Sequence, residues 1–233
     1  MAPAPGQTAG ASQEPVVFVV DDDASSLKAV TSTISAADWN VRSFSAPETF
    51  LDAYDADQPG CIVLDVRMPV LGGLAVQERL AERGSHTPIV FISAYSDVPA
   101  VVAAMKGGAI DFLEKPFTSA HLLEQVGKAV QKDADQRRAR AEQLDVERRL
   151  ALLTRREMEV LELVLAAKLN KQIAAELGIA QRTVEVHRRQ IMRKMKADTG
   201  IHLARIVLSA RKEAPPERPL RRIHNIPSGV QRR

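Results

Sequence analysis

The sequence predicts a chain in two parts. The first is an α/β half built on a doubly wound, five-stranded parallel sheet. A long helical linker joins it to an all-α half of four helices that contains a helix-turn-helix. Three observations predict this. Five short apolar runs alternate with helical periodicity across residues 16–130, and such alternation implies parallel strands, right-handed crossovers and helices on both faces. Lys128 to Leu153 contains no Gly or Pro and is rich in helix formers. Beyond it, Gly178 sits between two helical patterns, the helix, tight turn, helix arrangement of a helix-turn-helix.

Taken in order, Val16–Val20 is an all-apolar strand that ends in Asp21-Asp22-Asp23. Ser25 or Ser26 is placed to cap a helix with Leu27, Val30 and Ile34 on its apolar face. Val41–Phe44 is the second strand, and Pro47 opens a helix through Phe50, Leu51 and Tyr54. Cys61–Leu64 is a continuous apolar run of the kind buried on both sheet faces, and it ends in Asp65. Pro69, Gly72 and Gly73 break regularity before a helix over 73–83. Pro88–Ser93 is the fourth strand, and a helix carrying Val98, Val101, Val102 and Met105 ends at Gly107-Gly108. Ile110–Leu113 is the fifth strand, followed by Lys115-Pro116 and a helix from Ser119.

Composition narrows the function. The chain has 233 residues and a hydrophobic fraction of 45%, that of a globular protein. No apolar run approaches the roughly 20 residues of a membrane span. Residues 1–15 are rich in Pro, Ala and Gly and lack a basic start and an apolar core, so they read as a disordered tail and not a secretory signal. A single cysteine, Cys61, suits a reducing cytoplasm. Residues 1–132 carry 16 acidic and 9 basic side chains, and residues 133–233 carry 13 and 23. The halves are therefore −7 and +10 within a whole-chain charge of +3, which makes the second half a candidate for nucleic acid.

In a parallel sheet the carboxyl ends of the strands share one edge, where open α/β sheets place their ligands. Here that edge gathers Asp21, Asp22, Asp65, Ser93 and Lys115. Carboxylates packed together resist ionisation, and a divalent cation resolves the conflict. An all-oxygen donor set favours Mg²⁺ over zinc. Asp65 is then a nucleophile toward a phosphoryl group, with Lys115 and Mg²⁺ neutralising charge and Ser93 donating a hydrogen bond. Each residue alone has a plainer reading: the aspartates as helix caps, Lys115 as a surface lysine.

The pieces VVDDD (19–23), LDVRMP (64–69), FISA (91–94) and DFLEKPF (111–117) resemble response-regulator receiver domains. The resemblance covers residues 16–130 and implies a flavodoxin-like fold. It implies Asp65 as phosphoacceptor, Asp22 as a direct Mg²⁺ ligand, Asp21 acting through water and the Arg67 carbonyl completing the metal site. It further implies Ser93 as the switch hydroxyl, where the family more often has Thr, and Lys115 as the partner of the phosphate. The bond before Pro116 is implied to be cis, and Phe112 to be the switch aromatic; a packed strand aromatic is the alternative for Phe112.

Residues 131–152 read as the linker, with Leu144, Val146, Leu150 and Leu153 as a narrow apolar stripe. The stripe leaves a solvated connector and a dimerising coiled coil equally open. Thr154-Arg155-Arg156-Glu157 is a capping box for the next helix. Asn170 is placed to cap a short second helix, Lys171–Leu177, with Gly178 at its left-handed end. A third helix runs from Arg182 to Lys194, and Asp198 or Thr199 caps a fourth. On the third helix Val184, Ile191 and Met195 form an inward stripe, with Arg182, Glu185, Val186, Arg189 and Arg193 largely opposite. A basic outward face suits the major groove and its phosphates.

LTRREMEVL (153–161), NKQIAAELGI (170–179) and RTVEVHRRQIMRKM (182–195) resemble LuxR-type DNA-binding domains, here bounded as 153–212. That resemblance makes Glu185, Val186 and Arg189 readers of base edges. It makes Lys171, Arg182, Thr183, His187, Arg188, Arg193 and Lys194 phosphate contacts, with His187 equally readable as a structural histidine. Leu203 and Val207 of the fourth helix read either as a dimer contact or as core. Residues 213–233 read as a basic disordered tail.

The order of the two resemblances is that of FixJ-like two-component transcription factors. It implies a sensor histidine kinase as phosphodonor, promoter DNA as target, homodimers once phosphorylated and RNA polymerase as a further partner. No enzyme turning over a substrate is implied, only a Mg²⁺-dependent self-phosphorylation. Two rivals are kept. One is a phosphohydrolase with an aspartyl-phosphate intermediate, opposed by Arg67 standing two residues after Asp65 where a second acid would be needed. The other is a constitutive DNA-binding protein whose first half is only a scaffold.

Overall fold

The computed structural model describes residues 14–95 and 97–213. The tails read at 1–15 and 213–233 lie almost wholly outside the described residues. The chain divides into two compact units, residues 1–139 and 140–233.

In the first unit β1 (Val16–Val20), β2 (Asn40–Phe44), β3 (Gly60–Asp65), β4 (Ile89–Ser93) and β5 (Asp111–Glu114) form a parallel sheet in the order β2-β1-β3-β4-β5. The helices between them are α1 (Ala24–Ser35), α2 (Pro47–Ala53), α3 (Gly73–Glu82) and α4 (Val98–Lys106), and α5 (Ser119–Ala151) follows β5. Side chains alternate across a strand, and two apolar clusters show it. Phe18, Val20, Ile62, Leu64 and Phe91 pack with Phe50, Leu51, Val76, Leu80 and Ala104 on one face. Val17, Val19, Cys61, Val63, Val90 and Ile92 pack with Val30, Ile34, Leu122, Val126 and Ala129 on the other. Strands β1, β3 and β4 are buried along their whole length. That accounts for their unbroken apolar sequences, and it pushes the thiol of Cys61 up to about 12 through burial.

Some expected caps are corrected. Asp23, not Ser25 or Ser26, caps α1; its side chain accepts from the Ser25 and Ser26 N–H groups. An aspartate two positions before Ser25 reaches two orphan donors at once. Helix α4 buries only Ala104 and leaves Val98, Val102 and Met105 exposed. Helix α5 is continuous from Ser119 to Ala151. Its residues Asp133 and Arg137, counted with the linker by sequence, are tied to the first unit. Asp133 is buried and accepts from Gly60 N–H (2.8 Å) and Arg137 Nε (2.8 Å), and Arg137 also donates to the carbonyls of Ala56, Asp57 and Gln58.

In the second unit α6 (Arg155–Leu165), α7 (Asn170–Leu177), α8 (Gln181–Met195) and α9 (Gly200–Glu213) surround a core of Val160, Leu161, Ile173, Val184, Ile191, Met195, Leu203 and Val207. Leu203 and Val207 are thus core. Asn170 is the first residue of α7, not its cap; Gln172 reaches back to the Leu169 N–H instead. Gly178 ends α7 at φ 64°, a left-handed conformation that costs glycine nothing. Thr199 accepts from the His202 N–H at the start of α9. The linker residues Val146, Leu150 and Leu153 pack on this core, while Leu144 stays exposed. The stripe is neither a solvated connector nor, in this structure, a free coiled-coil seam.

Candidate functional site

The site is assembled by strand ends. Asp21 follows β1, Asp65 ends β3, Ser93 ends β4 and Lys115 follows β5. Parallel pairing aligns these ends: Val20 lies beside Leu64, Asp65 beside Ile92 and Ser93 beside Glu114. Gly73, at the start of α3, admits a helix there only because it lacks Cβ. A Cβ at Gly73 would lie 2.2 Å from the Asp65 carbonyl oxygen.

Lys115 Nζ stands between two carboxylates, 2.8 Å from Asp21 Oδ2 and 3.0 Å from Asp65 Oδ1. Asp21 is 1% exposed and also accepts from the Asp23 N–H and the Ser26 hydroxyl. Asp65 is 6% exposed and accepts from the Arg67 N–H at 2.7 Å. Two carboxylates against one ammonium leave an excess negative charge. Burial pushes the Asp65 carboxyl above the ordinary aspartate range; Lys115 and the Arg67 N–H oppose the shift, and the charge of Asp21 adds to it. Burial acts to lower the pKa of Lys115, but its two carboxylate partners outweigh burial and hold it above the ordinary lysine value.

The remaining expected residues are placed as follows. Asp22 is exposed at the rim and Asp23 caps α1. Ser93 is 0% exposed, and its hydroxyl donates to the Tyr95 carbonyl at 2.8 Å. Phe112 is half-buried, its ring centroid 6.3 Å from that of Phe91. Tyr95 is the exposed aromatic of this edge, with the Arg67 guanidinium 5.3 Å from its ring; the sequence carried no periodic signal for it. The Lys115–Pro116 bond is cis.

The donor chemistry bears on a metal. Among the described residues, no three His, Cys, Asp or Glu side chains gather as a cage. What exists is a pair of oxygen donors with excess charge, Asp21 and Asp65, beside the Arg67 backbone and the rim carboxylate Asp22. That fits Mg²⁺, which is held by one or two carboxylates and keeps positions for water and phosphate oxygens. It does not fit zinc.

The second unit presents a different surface. Lys171 of α7 and Arg182, Thr183, Glu185, Val186, Arg189 and Arg193 of α8 are exposed, while His187 is half-buried. Val184, Ile191 and Met195 face inward, which leaves the basic stripe outward. Two residues grouped with it are otherwise engaged. Arg188 donates to Asn170 Oδ1 at 2.9 Å. Lys194 turns inward, donating to Glu157 Oε2 (2.6 Å) and to the Leu152 carbonyl (3.0 Å). Lys194 is therefore corrected from a phosphate contact to an internal ion pair. Three positions after Ile191 on a 3.6-residue helix, it lies beside the buried face.

A buried strand-end aspartate beside a lysine on a β2-β1-β3-β4-β5 sheet, followed by a helix-turn-helix, points to the class of receiver-bearing DNA-binding regulators. Residues 17–127 match the family model described as response regulator receiver domain. Residues 151–207 match that of bacterial regulatory proteins, luxR family. The chain is 43% identical to the response regulator protein TmoT of Ectopseudomonas mendocina, over 83% of this chain and 88% of that one. It is 40% identical to the transcriptional regulatory protein FixJ of Azorhizobium caulinodans, over 83% and 92%. Among solved structures, the response regulator StyR matches with a TM-score of 0.77 at 43% identity, covering 84% of this chain and 98% of that one. Full-length FixJ from B. japonicum matches with a TM-score of 0.54 at 36% identity, covering 86% and 99%. The chain belongs to the FixJ-like response regulators: a two-component receiver followed by a LuxR-type DNA-binding domain. It is a regulator of transcription.

Proposed function

We propose that Asp65 accepts a phosphoryl group from a sensor histidine kinase in the cytoplasm. An Asp65 carboxylate oxygen attacks phosphorus, the P–N bond to the kinase histidine breaks as the new P–O bond forms, and the histidine nitrogen departs with the electron pair. Asp22, Asp21, Asp65 and the Arg67 carbonyl would hold Mg²⁺, which supplies charge neutralisation to the transferring phosphoryl group. The observation that carries the reading is Lys115 Nζ held between Asp21 and Asp65. An ammonium so placed can follow the charge from the Asp65 carboxylate to the phosphoryl oxygens. Ser93 then exchanges the Tyr95 carbonyl for a phosphoryl oxygen, and the ring of Phe112 changes rotamer. The face formed by α4 and β5 is altered, phosphorylated chains pair, and two copies of α8 read a two-fold DNA site. Glu185, Val186 and Arg189 contact base edges; Lys171, Arg182, Thr183, His187, Arg188 and Arg193 contact phosphates. RNA polymerase is the downstream partner.

Wild-type and Asp65→Asn chains should be treated with a small phosphodonor and Mg²⁺ and scored for acid-stable, base-labile labelling. Only the wild type is expected to label. Equal labelling of both removes Asp65 as the acceptor.

A further inference from the structure

The C-terminal end of α8 is held by the linker helix. The last four carbonyls of a helix have no partner within it. At the end of α8 the Met192 carbonyl accepts from Ala197 N–H (3.0 Å) and the Arg193 carbonyl from Lys196 N–H (3.3 Å). The Met195 carbonyl accepts from outside the turn, from Arg149 Nη1 of α5 at 3.2 Å. Arg149 is itself oriented by an ion pair with Asp145 one helical turn earlier. A cation at this end of a helix also favours its dipole.

A second bond runs the other way. Lys194 of α8 donates to the carbonyl of Leu152, just past the end of α5, and to Glu157 of α6. Val146 and Leu150 of α5 add apolar contact to the same core. Ties of this kind gather at the C-terminal end of α8. At its N-terminal half, which presents Arg182, Glu185, Val186 and Arg189, the side-chain tie found is Arg188 to Asn170. The inward stripe of α8, Val184 included, packs on the core, and the polar ties beyond that packing concentrate at the C-terminal end, where they are made by the linker residues Arg149 and Leu152 together with Glu157.

We propose that Arg149 is a positioning residue for DNA reading: by fixing the Met195 end of α8 it sets the angle at which the exposed half meets base edges, making the last turns of the linker a functional part of the DNA-binding unit. The inference rests on α8 being the recognition helix. Small rotations at the Met195 end displace base-reading side chains most. Phosphate contacts tolerate them better, because they carry no sequence register.

The test uses full-length chain with two duplexes: one selected from a random-sequence pool by the wild type, and one of unselected mixed sequence. Arg149→Met keeps the aliphatic packing and removes the donor. It is expected to weaken binding to the selected duplex roughly tenfold, the weight of one hydrogen bond to a charged group, with binding to the unselected duplex unchanged. Arg149→Lys should recover part of the loss. Affinity for the selected duplex within about twofold of wild type overturns the proposal. So does equal weakening on both duplexes accompanied by a lower unfolding midpoint, which would make Arg149 merely structural. Arg189→Ala separates the two readings. If it leaves the selected duplex equally well bound, α8 is not the recognition helix; if it weakens binding and Arg149→Met does not, only the positioning role fails.

Discussion

Lys115 and Lys194 are both lysines drawn inward onto carboxylates, and the two clusters differ in charge balance. Lys194 meets one acid, Glu157, which is 5% exposed and also bonded to the Thr154 backbone and hydroxyl. Burial acts to raise the Glu157 pKa, but Lys194 and Thr154 outweigh burial and hold it below the ordinary glutamate range. Lys115 meets two acids, and there burial prevails: Asp65 is raised. The Glu157 cluster is balanced and serves as structure. The Asp65 cluster keeps negative charge that its neighbours do not neutralise, which is what a hard cation and an incoming phosphoryl group would relieve.

The comparison breaks if removing each acid's charge has the same sign of effect. Glu157→Gln should destabilise the C-terminal unit by about 2 kcal/mol, because it leaves Lys194 facing a neutral group in a buried setting. Urea unfolding followed by a probe in that unit measures it. Asp65→Asn should instead stabilise the N-terminal unit by about 1 kcal/mol in Mg²⁺-free solution, since a buried, under-compensated charge is removed. A lower midpoint for Asp65→Asn would show that the Asp65 cluster is balanced after all.

The pH dependence sharpens the same contrast. Glu157 has a lowered folded pKa, so its contribution is complete above the unfolded value and is lost as pH falls through the folded one. Asp65 has a raised folded pKa; its contribution is present below the unfolded value and lost as pH rises through the folded one. Between about pH 6 and pH 3, Glu157→Gln should therefore lose less stability than wild type, whereas Asp65→Asn should gain less, or lose more, than wild type. Thermal midpoints across that range decide it.

The smallest effect concerns Val70, beside the proposed acceptor loop. It is 99% exposed with φ 68°, a conformation costly for a β-branched residue. Val70→Gly should raise stability by about 0.5 kcal/mol, the relieved strain less the entropy of glycine. An unchanged or lower urea midpoint would show that the loop carries no such strain.

Much of the first unit could be read from residue order. Continuous apolar runs marked buried strands, and parallel pairing forces their carboxyl ends together, so Asp21, Asp65, Ser93 and Lys115 had to share an edge. The rest turned on distances. Ser93 at that edge gave no hint that its hydroxyl would bond the Tyr95 carbonyl. Asp133 and Arg137 looked like linker charges because their partners lie near residues 56–60, far away in sequence. Lys194 looked like its basic neighbours.

The class of fold, the edge at which chemistry would be placed and the outward stripe of α8 are set by residue order alone. These follow from local periodicity and from polar residues where apolar runs stop. Which lysine faces surplus charge and which a balanced pair, and that Val146, Leu150 and Leu153 of the linker cover the helix-turn-helix core, emerge only on packing. Those outcomes depend on groups brought together from distant parts of the chain, where burial and the number of partners settle the sign of an interaction that residue type leaves open.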